Sequence, residues 1–344
     1  MSKPFYSVMM VVVLVAITLA ACGPKATPTQ AIATQPPSTE APVIATATST
    51  ATAVPELEGT ITISGAFALY PMMTRWGEEF QKIHPNVQFD ISAGGAGKGM
   101  TDALSGAVDI GMVSRGVTAD EEANGAYWVA VTKDAVFPTV NAENPVLGDL
   151  LAKGVKNDIF IGIFITGEIT TWGQVVGRPE ITDKIHVYTR SDACGAADIW
   201  AKYLGNKKQE NLLGIGVNGD PGLLDAVVKD PLGIGYNNLG FAFDLSSGKV
   251  AVGAVIVPLD ANENGQADPD EVMDSMAKAT DAVATGKYPT PPGRFENLVT
   301  KGKPSGLVQT FMEWILTDGQ QFVGEAGYVQ LPPDMLSESL AKVR

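Results

Sequence analysis

Beyond about residue 56, the apolar positions of this chain fall into short runs that alternate between strand spacing and helix spacing. Thr60 to Ile63 is a short β-type run, Met72 to Ile83 sets its apolar residues on one helical face, and Val87 to Ile91 returns to strand. Lys98 to Leu104 then reads as helix, Val108 to Met112 as a buried strand, Tyr127 to Val140 as a β-rich crossing, and Asp149 to Phe160 as helix. Ile185 to Tyr188 follows as strand, Ala197 to Leu204 and Leu223 to Lys229 as helices, and Val250 to Val257 as strand, with a helix beginning near Glu271. Strand and helix alternate throughout, which predicts an α/β architecture with parallel or mixed sheets covered on both faces. No internal repeat is present.

The first residues follow a different pattern. The apolar run from Val8 to Leu19 has the length of a signal-peptide core and falls short of the ~20 residues that a membrane span requires. Leu19-Ala20-Ala21-Cys22 closes it, and this resembles the site at which bacterial lipoproteins are cleaved and given lipid on the new N-terminal cysteine. The alternative is an ordinary secretory signal with an incidental Cys22. Residues 22–56 are rich in Thr, Ala and Pro with few large apolar side chains, so they cannot bury a core and are expected to form a disordered tether behind a signal peptide at 1–21.

The remainder suffices for one large or two medium domains, at ~100–200 residues each. A net charge of -14 argues against nucleic acid and anionic membrane surfaces as partners, while leaving room for a local pocket that binds a small anion. With Cys22 lipidated, Cys194 has no disulfide partner. It is read as a buried thiol, or as a helix-start thiol with lowered pKa acting as a weak donor or soft ligand.

Four turns between strand ends and helix starts carry the candidate chemistry. They are Ser64-Gly65-Ala66-Phe67-Ala68, Ala93-Gly94-Gly95-Ala96-Gly97, Val113-Ser114-Arg115, and Arg190-Ser191-Asp192-Ala193-Cys194-Gly195-Ala196. Ligands in α/β sheets bind beyond the carboxyl ends of strands, where helix N-termini present unpaired N–H donors and a positive dipole. Each turn alone is only a turn; together they would cradle an anion.

These segments resemble, in order, the motifs of the phosphate-binding receptors of bacterial ABC transporters. The likeness starts with Ile63 to Pro71, Trp76 and Phe80, then Gly95-Ala96-Gly97 and Asp109 to Arg115. It continues through Val140-Asn141, Asn144-Pro145-Val146, Phe164 to Ile169 with Trp172, and Gly233 to Tyr236. Thr300 to Leu307, Gly319-Gln320 and Gly327-Tyr328-Val329 complete a series that is collinear from about Gly59 to Leu331. The resemblance implies a two-lobed periplasmic-binding-protein-like fold of type II, with lobes joined by two crossing segments. Residues 57–135 and 249–344 would form lobe 1 and residues 136–248 lobe 2. It further implies a monomeric, extracytoplasmic solute-binding protein that hands an oxyanion to an ABC permease.

The resemblance places ligand contacts at Ala66, Phe67, Ala68, Gly95, Ala96, Ser114, Arg115, Arg190, Ser191, Cys194, Gly195 and Ala196. The family's Ser or Thr hydroxyls are replaced here by Phe67, Ala96, Cys194 and Ala196. Arg190 would anchor the charge, because a planar guanidinium can meet two oxygens of a tetrahedral anion. Arg115 would either assist it or pair with an acidic neighbour. The ligand is then phosphate held by main-chain N–H groups, or a larger or less polar anion against Phe67, or small-anion binding has been lost.

A second feature is independent of that family. In Asp260-Ala261-Asn262-Glu263-Asn264-Gly265-Gln266-Ala267-Asp268-Pro269-Asp270-Glu271, oxygen side chains, glycine and glutamate follow the spacing of an EF-hand calcium loop. Asp260, Asn262, Asn264, Asp268 and Glu271 would supply side-chain oxygens and Gln266 its carbonyl to a structural Ca2+. The other reading is an acidic surface turn. An adhesion-type or scaffold lipoprotein stabilised by calcium is the rival to a transport receptor. Enzymatic patterns are lacking: His84 and His186 are the only histidines, and no Walker, nucleophile-elbow or dinucleotide fingerprint is present. A Cys194–His186 hydrolase is the one catalytic alternative.

Overall fold

The computed structural model describes residues 56–344. The signal peptide, Cys22 and the tether up to residue 55 lie outside the described residues. Nine strands, β1 (Gly59–Gly65), β2 (Val87–Ala93), β3 (Ile110–Val113), β4 (Ala126–Asn141), β5 (His186–Arg190), β6 (Ile215–Val217), β7 (Gly233–Asn238), β8 (Ala254–Ile256) and β9 (Gly293–Lys301), form one continuous sheet. Its order is β2-β1-β3-β9-β4-β7-β5-β6, with β8 paired to β4. β1 runs parallel to β2 and β3, β5 runs parallel to β6 and β7, and the central pairs β3–β9, β9–β4 and β4–β7 are antiparallel.

The predicted α/β class with two lobes is therefore present. β3 and β7 are buried at every position, as expected of strands covered by helices on both faces. The apolar face of helix Tyr70–Ile83 packs Met72, Met73, Trp76 and Phe80 into the first core. Trp76 also donates its indole N–H to the carbonyl of Gly319 at 2.8 Å, tying the start of the fold to its C-terminal segment. A second core gathers Phe137, Phe164, Trp172, Trp200 and Tyr236. β4 serves both, with Val129 and Val131 in the first core and Val136, Phe137 and Val140 in the second. A register shift between Ala130 and Thr132 marks the changeover.

The structure departs from the sequence reading at four places. The return to lobe 1 was expected at residue 249, but Ile256, Leu259, Met273, Val283 and Tyr288 pack in the second core, so the chain returns only along β9. The helix expected over Asp149 to Phe160 is two, Leu147–Lys153 and Asn157–Ile161, because Gly154 takes φ 66 and Val155 pairs with the main chain of Pro258 and Asp260. The strand expected over Val250 to Val257 keeps only Ala254–Ile256, since Gly253 turns at φ +84. No helix starts at Glu271; Ser275 caps one over Met276–Thr285 by accepting the N–H of Lys278.

Among the described residues no helix is long and apolar enough to cross a membrane. Replacing Trp76 by Phe keeps most of the packing but leaves the Gly319 carbonyl buried without its donor. It is expected to cost about 1–3 kcal/mol in urea unfolding. A loss below about 0.5 kcal/mol would show that this tie does not hold the C-terminal segment.

Candidate functional site

Two turns of lobe 1 and one of lobe 2 meet face to face. β1 ends at Gly65, whose φ of +136 and close approach to the Met112 carbonyl exclude a side chain. Its own carbonyl accepts the N–H groups of Gly94 and Gly95 at 2.9 and 3.0 Å, which sets the Gly95 turn into helix Ala96–Ser105. From lobe 2, β5 ends at Arg190 and the chain turns through Asp192 into helix Gly195–Tyr203. Gln209 clamps that turn, donating to the Asp192 carbonyl at 2.6 Å and accepting from the Cys194 N–H at 3.0 Å.

Contact between the lobes is direct. The Gly97 N–H donates to the Ala193 carbonyl at 3.1 Å. Gly195 lies so close to Ser114 that a Cβ there would fall 2.1 Å from the Ser114 carbonyl oxygen. The Phe67 ring packs against Gly219 and sits 5.4 Å from the Arg190 guanidinium carbon. The expected contacts Ala66, Phe67, Ala68, Gly95, Ala96, Ser114, Arg190, Cys194, Gly195 and Ala196 thus all lie on the turns and helix starts that frame this junction. Of the first N–H groups of helices Ala96–Ser105 and Gly195–Tyr203, that of Gly97 is bonded to Ala193 and that of Ala197 to the Cys194 Sγ, which leaves those of Ala96, Lys98, Gly195 and Ala196 without an intrahelical acceptor.

Arg190 does not have the free fork expected of it. Its Nε and Nη2 donate to the two oxygens of Asp192 at 2.8 and 2.5 Å, and Nη1 donates to Asp220 at 2.6 Å. The side chain is fully buried. Burial opposes the guanidinium charge, yet Asp220 and Asp192 outweigh it and hold Arg190 protonated. Burial likewise raises Asp192, but its hydrogen bonds from Arg190 prevail and keep the carboxyl below its usual range. Two N–H groups of the five on a guanidinium stay outside these three bonds.

Arg115 belongs to the ion-pair alternative: its Nη1 and Nη2 meet Glu121 at 3.0 and 2.6 Å. Ser191 is exposed and is tied through its main chain to Val217, so it does not join the junction. Cys194 accepts the Ala197 N–H through Sγ at 3.4 Å, and burial pushes its thiol up to about 12. The lowered pKa considered for it is thereby corrected, since burial outweighs the favourable Arg190 charge. His186, at the other end of β5, pairs with Asp230 at 2.7 Å, which removes the Cys194–His186 hydrolase. Asp220 and Gln209 escaped sequence reasoning, because Asn218-Gly219-Asp220-Pro221-Gly222 reads as an ordinary turn. A cavity of about 500 Å³ opens beside the junction, with Gly97, Arg115, Ala193, Lys202, Lys207 and Lys208 in its walls.

The second candidate, residues 260–271, folds on itself. Asp260 accepts the Asn264 and Gly265 N–H groups at 3.0 and 2.9 Å, and Asn264 accepts that of Gln266 at 2.8 Å. Asn262 and Asn264 donate to Asp268 at 2.7 and 2.9 Å, while Glu271 reaches back to the N–H groups of Ala261 and Asp268 at 2.8 and 3.1 Å. Among the described residues no group of three or more His, Cys, Asp and Glu side chains is gathered as a metal cluster.

Comparison with known proteins matches residues 37–319 to a family model described as a PBP superfamily domain. The chain belongs to the PBP superfamily. The phosphate-binding protein PstS of Bacillus subtilis is 28% identical over 276 residues, covering 79% of this chain and 80% of the relative. PstS of Methanocaldococcus jannaschii is 28% identical over 348 residues, covering 84% and 87%. Among solved structures, a putative phosphate ABC transporter substrate-binding protein with bound phosphate from Clostridium perfringens aligns with TM-score 0.65 at 23% identity, over 80% of this chain and 100% of that one. An ABC-type phosphate transport receptor from Vibrio cholerae gives 0.57 at 21%, over 79% and 100%. At these identities the structural matches show the fold.

Gly195→Ala is the sharpest test of the lobe junction, since the added methyl group meets the Ser114 main chain. The variant is expected to retain its melting temperature within about 2 °C while its radius of gyration in X-ray scattering exceeds that of the parent. Equal radii would show that the lobes do not close through Gly195.

Proposed function

We propose that the chain is the extracytoplasmic solute receptor of an ABC transporter, that it captures phosphate or a related oxyanion between its lobes, and that lipid on Cys22 holds it at the membrane. The observation that supports this most is the convergence of helix starts from both lobes on the buried Arg190. The PstS relatives are phosphate-binding proteins by name, and the Vibrio cholerae structure is of a phosphate transport receptor. Binding would draw on the first-turn N–H groups of helices Ala96–Ser105 and Gly195–Tyr203 and the remaining N–H groups of Arg190.

A second reading, a calcium-stabilised surface scaffold with lost anion binding, draws support from the direct Gly97–Ala193 contact and the double pairing of Arg190. Isothermal titration with inorganic phosphate separates the two. Micromolar or tighter binding is expected of the receptor; no heat up to millimolar phosphate would favour the scaffold. Restoring hydroxyls with Cys194→Ser and Ala196→Thr is expected to tighten binding by about tenfold together, at roughly 0.5–1.5 kcal/mol per added hydrogen bond. Unchanged affinity would place the anion away from helix Gly195–Tyr203.

Residues 260–271 are proposed to hold a structural Ca2+, on the strength of their EF-hand spacing and of Gly265 turning at φ +78. Chelation is expected to lower the melting temperature by at least about 2 °C through loss of a native-state ligand. Glu271→Gln should make the protein indifferent to chelator. A parent protein equally indifferent would reduce the loop to a surface turn.

A further inference from the structure

A buried string of side chains runs from the crossing strands to Arg190. On β9, Arg294 donates through Nη2 to Asp134 of β4 at 2.7 Å and to the Asn238 side-chain carbonyl. Asn238, at the end of β7, donates in turn to Asp220, and Asp220 accepts from Arg190 at 2.6 Å. Glu296 lies two residues beyond Arg294 with Oε1 3.0 Å from its Nε. Every side chain from Glu296 to Arg190 is at most a few per cent exposed. The string carries two guanidinium groups against four carboxylates, those of Asp192, Asp220, Asp134 and Glu296.

That balance conflicts with anion capture. With every carboxyl ionised, the string bears an excess of two negative charges beside the junction where an anion must settle, and low-dielectric surroundings do not screen it. Glu296 is where one charge is most easily removed. Neither of its oxygens has a hydrogen-bond partner among the described residues, and the Arg294 Nε beside it is not aligned to donate. The charged and titratable groups acting on it are Arg294 on its own strand, Asp134 on β4, Asp220 at the start of helix Gly219–Lys229, and, from the C-terminal segment, Tyr328.

We propose that Glu296 is a positioning residue of the anion site: a proton held on it, relayed in effect through Arg294, Asn238 and Asp220, keeps Arg190 from being over-neutralised. The proposal rests on the oxyanion-receptor reading. Burial, resisted by the Arg294 charge, pushes the Glu296 carboxyl up to about 8. An anion bound at Arg190 raises it further, so affinity is complete well below about pH 8 and declines as the pH rises from there through the higher value of the anion-bound form.

The test titrates the parent protein and Glu296→Gln with inorganic phosphate at pH 7 and pH 9. Comparing the two proteins at the same pH cancels the titration of phosphate itself. Affinities are expected to agree within about twofold at pH 7, whereas at pH 9 the parent binds about fivefold more weakly than the variant, as a one-unit rise on binding requires. Proton uptake by the parent, read between pH 7 and pH 10 from titrations in buffers of different ionisation enthalpy, serves should the variant fail to fold. Uptake that passes through a maximum just above pH 8 and falls again supports the proposal, whereas uptake that only levels off is that of phosphate itself and counts against it. Identical pH profiles, or binding without uptake, would overturn the proposal and leave the receptor reading standing. Failure of the parent to bind phosphate at either pH would overturn both.

Discussion

The antiparallel pairing of β4 with β9 is the interaction on which the molecule depends. It runs from Ala126 to Ala135 on one strand and from Lys301 back to Gly293 on the other, and it joins two otherwise separate hydrophobic cores. Because β4 continues past that pairing to meet β7 and β8, one strand belongs to both lobes. The same ladder carries Asp134, Arg294 and Glu296 on its buried face, two carboxyl groups to one guanidinium. Replacing such residues with apolar ones of like volume is often neutral or stabilising for a fold, so their presence is not accounted for by stability alone.

At the lobe junction the chain presents backbone groups and few hydroxyl side chains. Phe67, Ala96, Cys194 and Ala196 bring no hydroxyl donor, yet the helix starts around them keep their N–H groups, which any residue except proline supplies. Arg190 is buried at the junction, and its two carboxylate partners fix the plane of the guanidinium. Close glycine contacts, Gly195 on Ser114 and Gly95 near Ala193, bring the two halves together. Geometry and main-chain dipoles define the site more than side-chain variety does.

The alternation of strands and helices up to β5 and the glycine turns at strand ends were legible from the sequence, because each rests on a local pattern or on a collinear series of motifs. β9 was not, since the charged Arg294 and Glu296 within Gly-Arg-Phe-Glu-Asn-Leu-Val-Thr-Lys break an apolar strand pattern, and Arg294 is buried against Asp134 and Asn238, far away in sequence. The lobe boundary was misplaced for a related reason: residues 254 to 288 carry no marker of which core they join.

Local sequence therefore determined the α/β class, the family and the turns that frame the lobe junction. Tertiary structure alone decided that Arg115 pairs with Glu121, that the Cys194 thiol is raised by burial, and that Arg190 is shared between Asp192 and Asp220. Propensity and periodicity act over neighbouring residues, so one sequence can reveal them. The pairing of buried charges depends on groups up to 160 positions apart, as in Asp134 and Arg294, and only the folded chain brings them together.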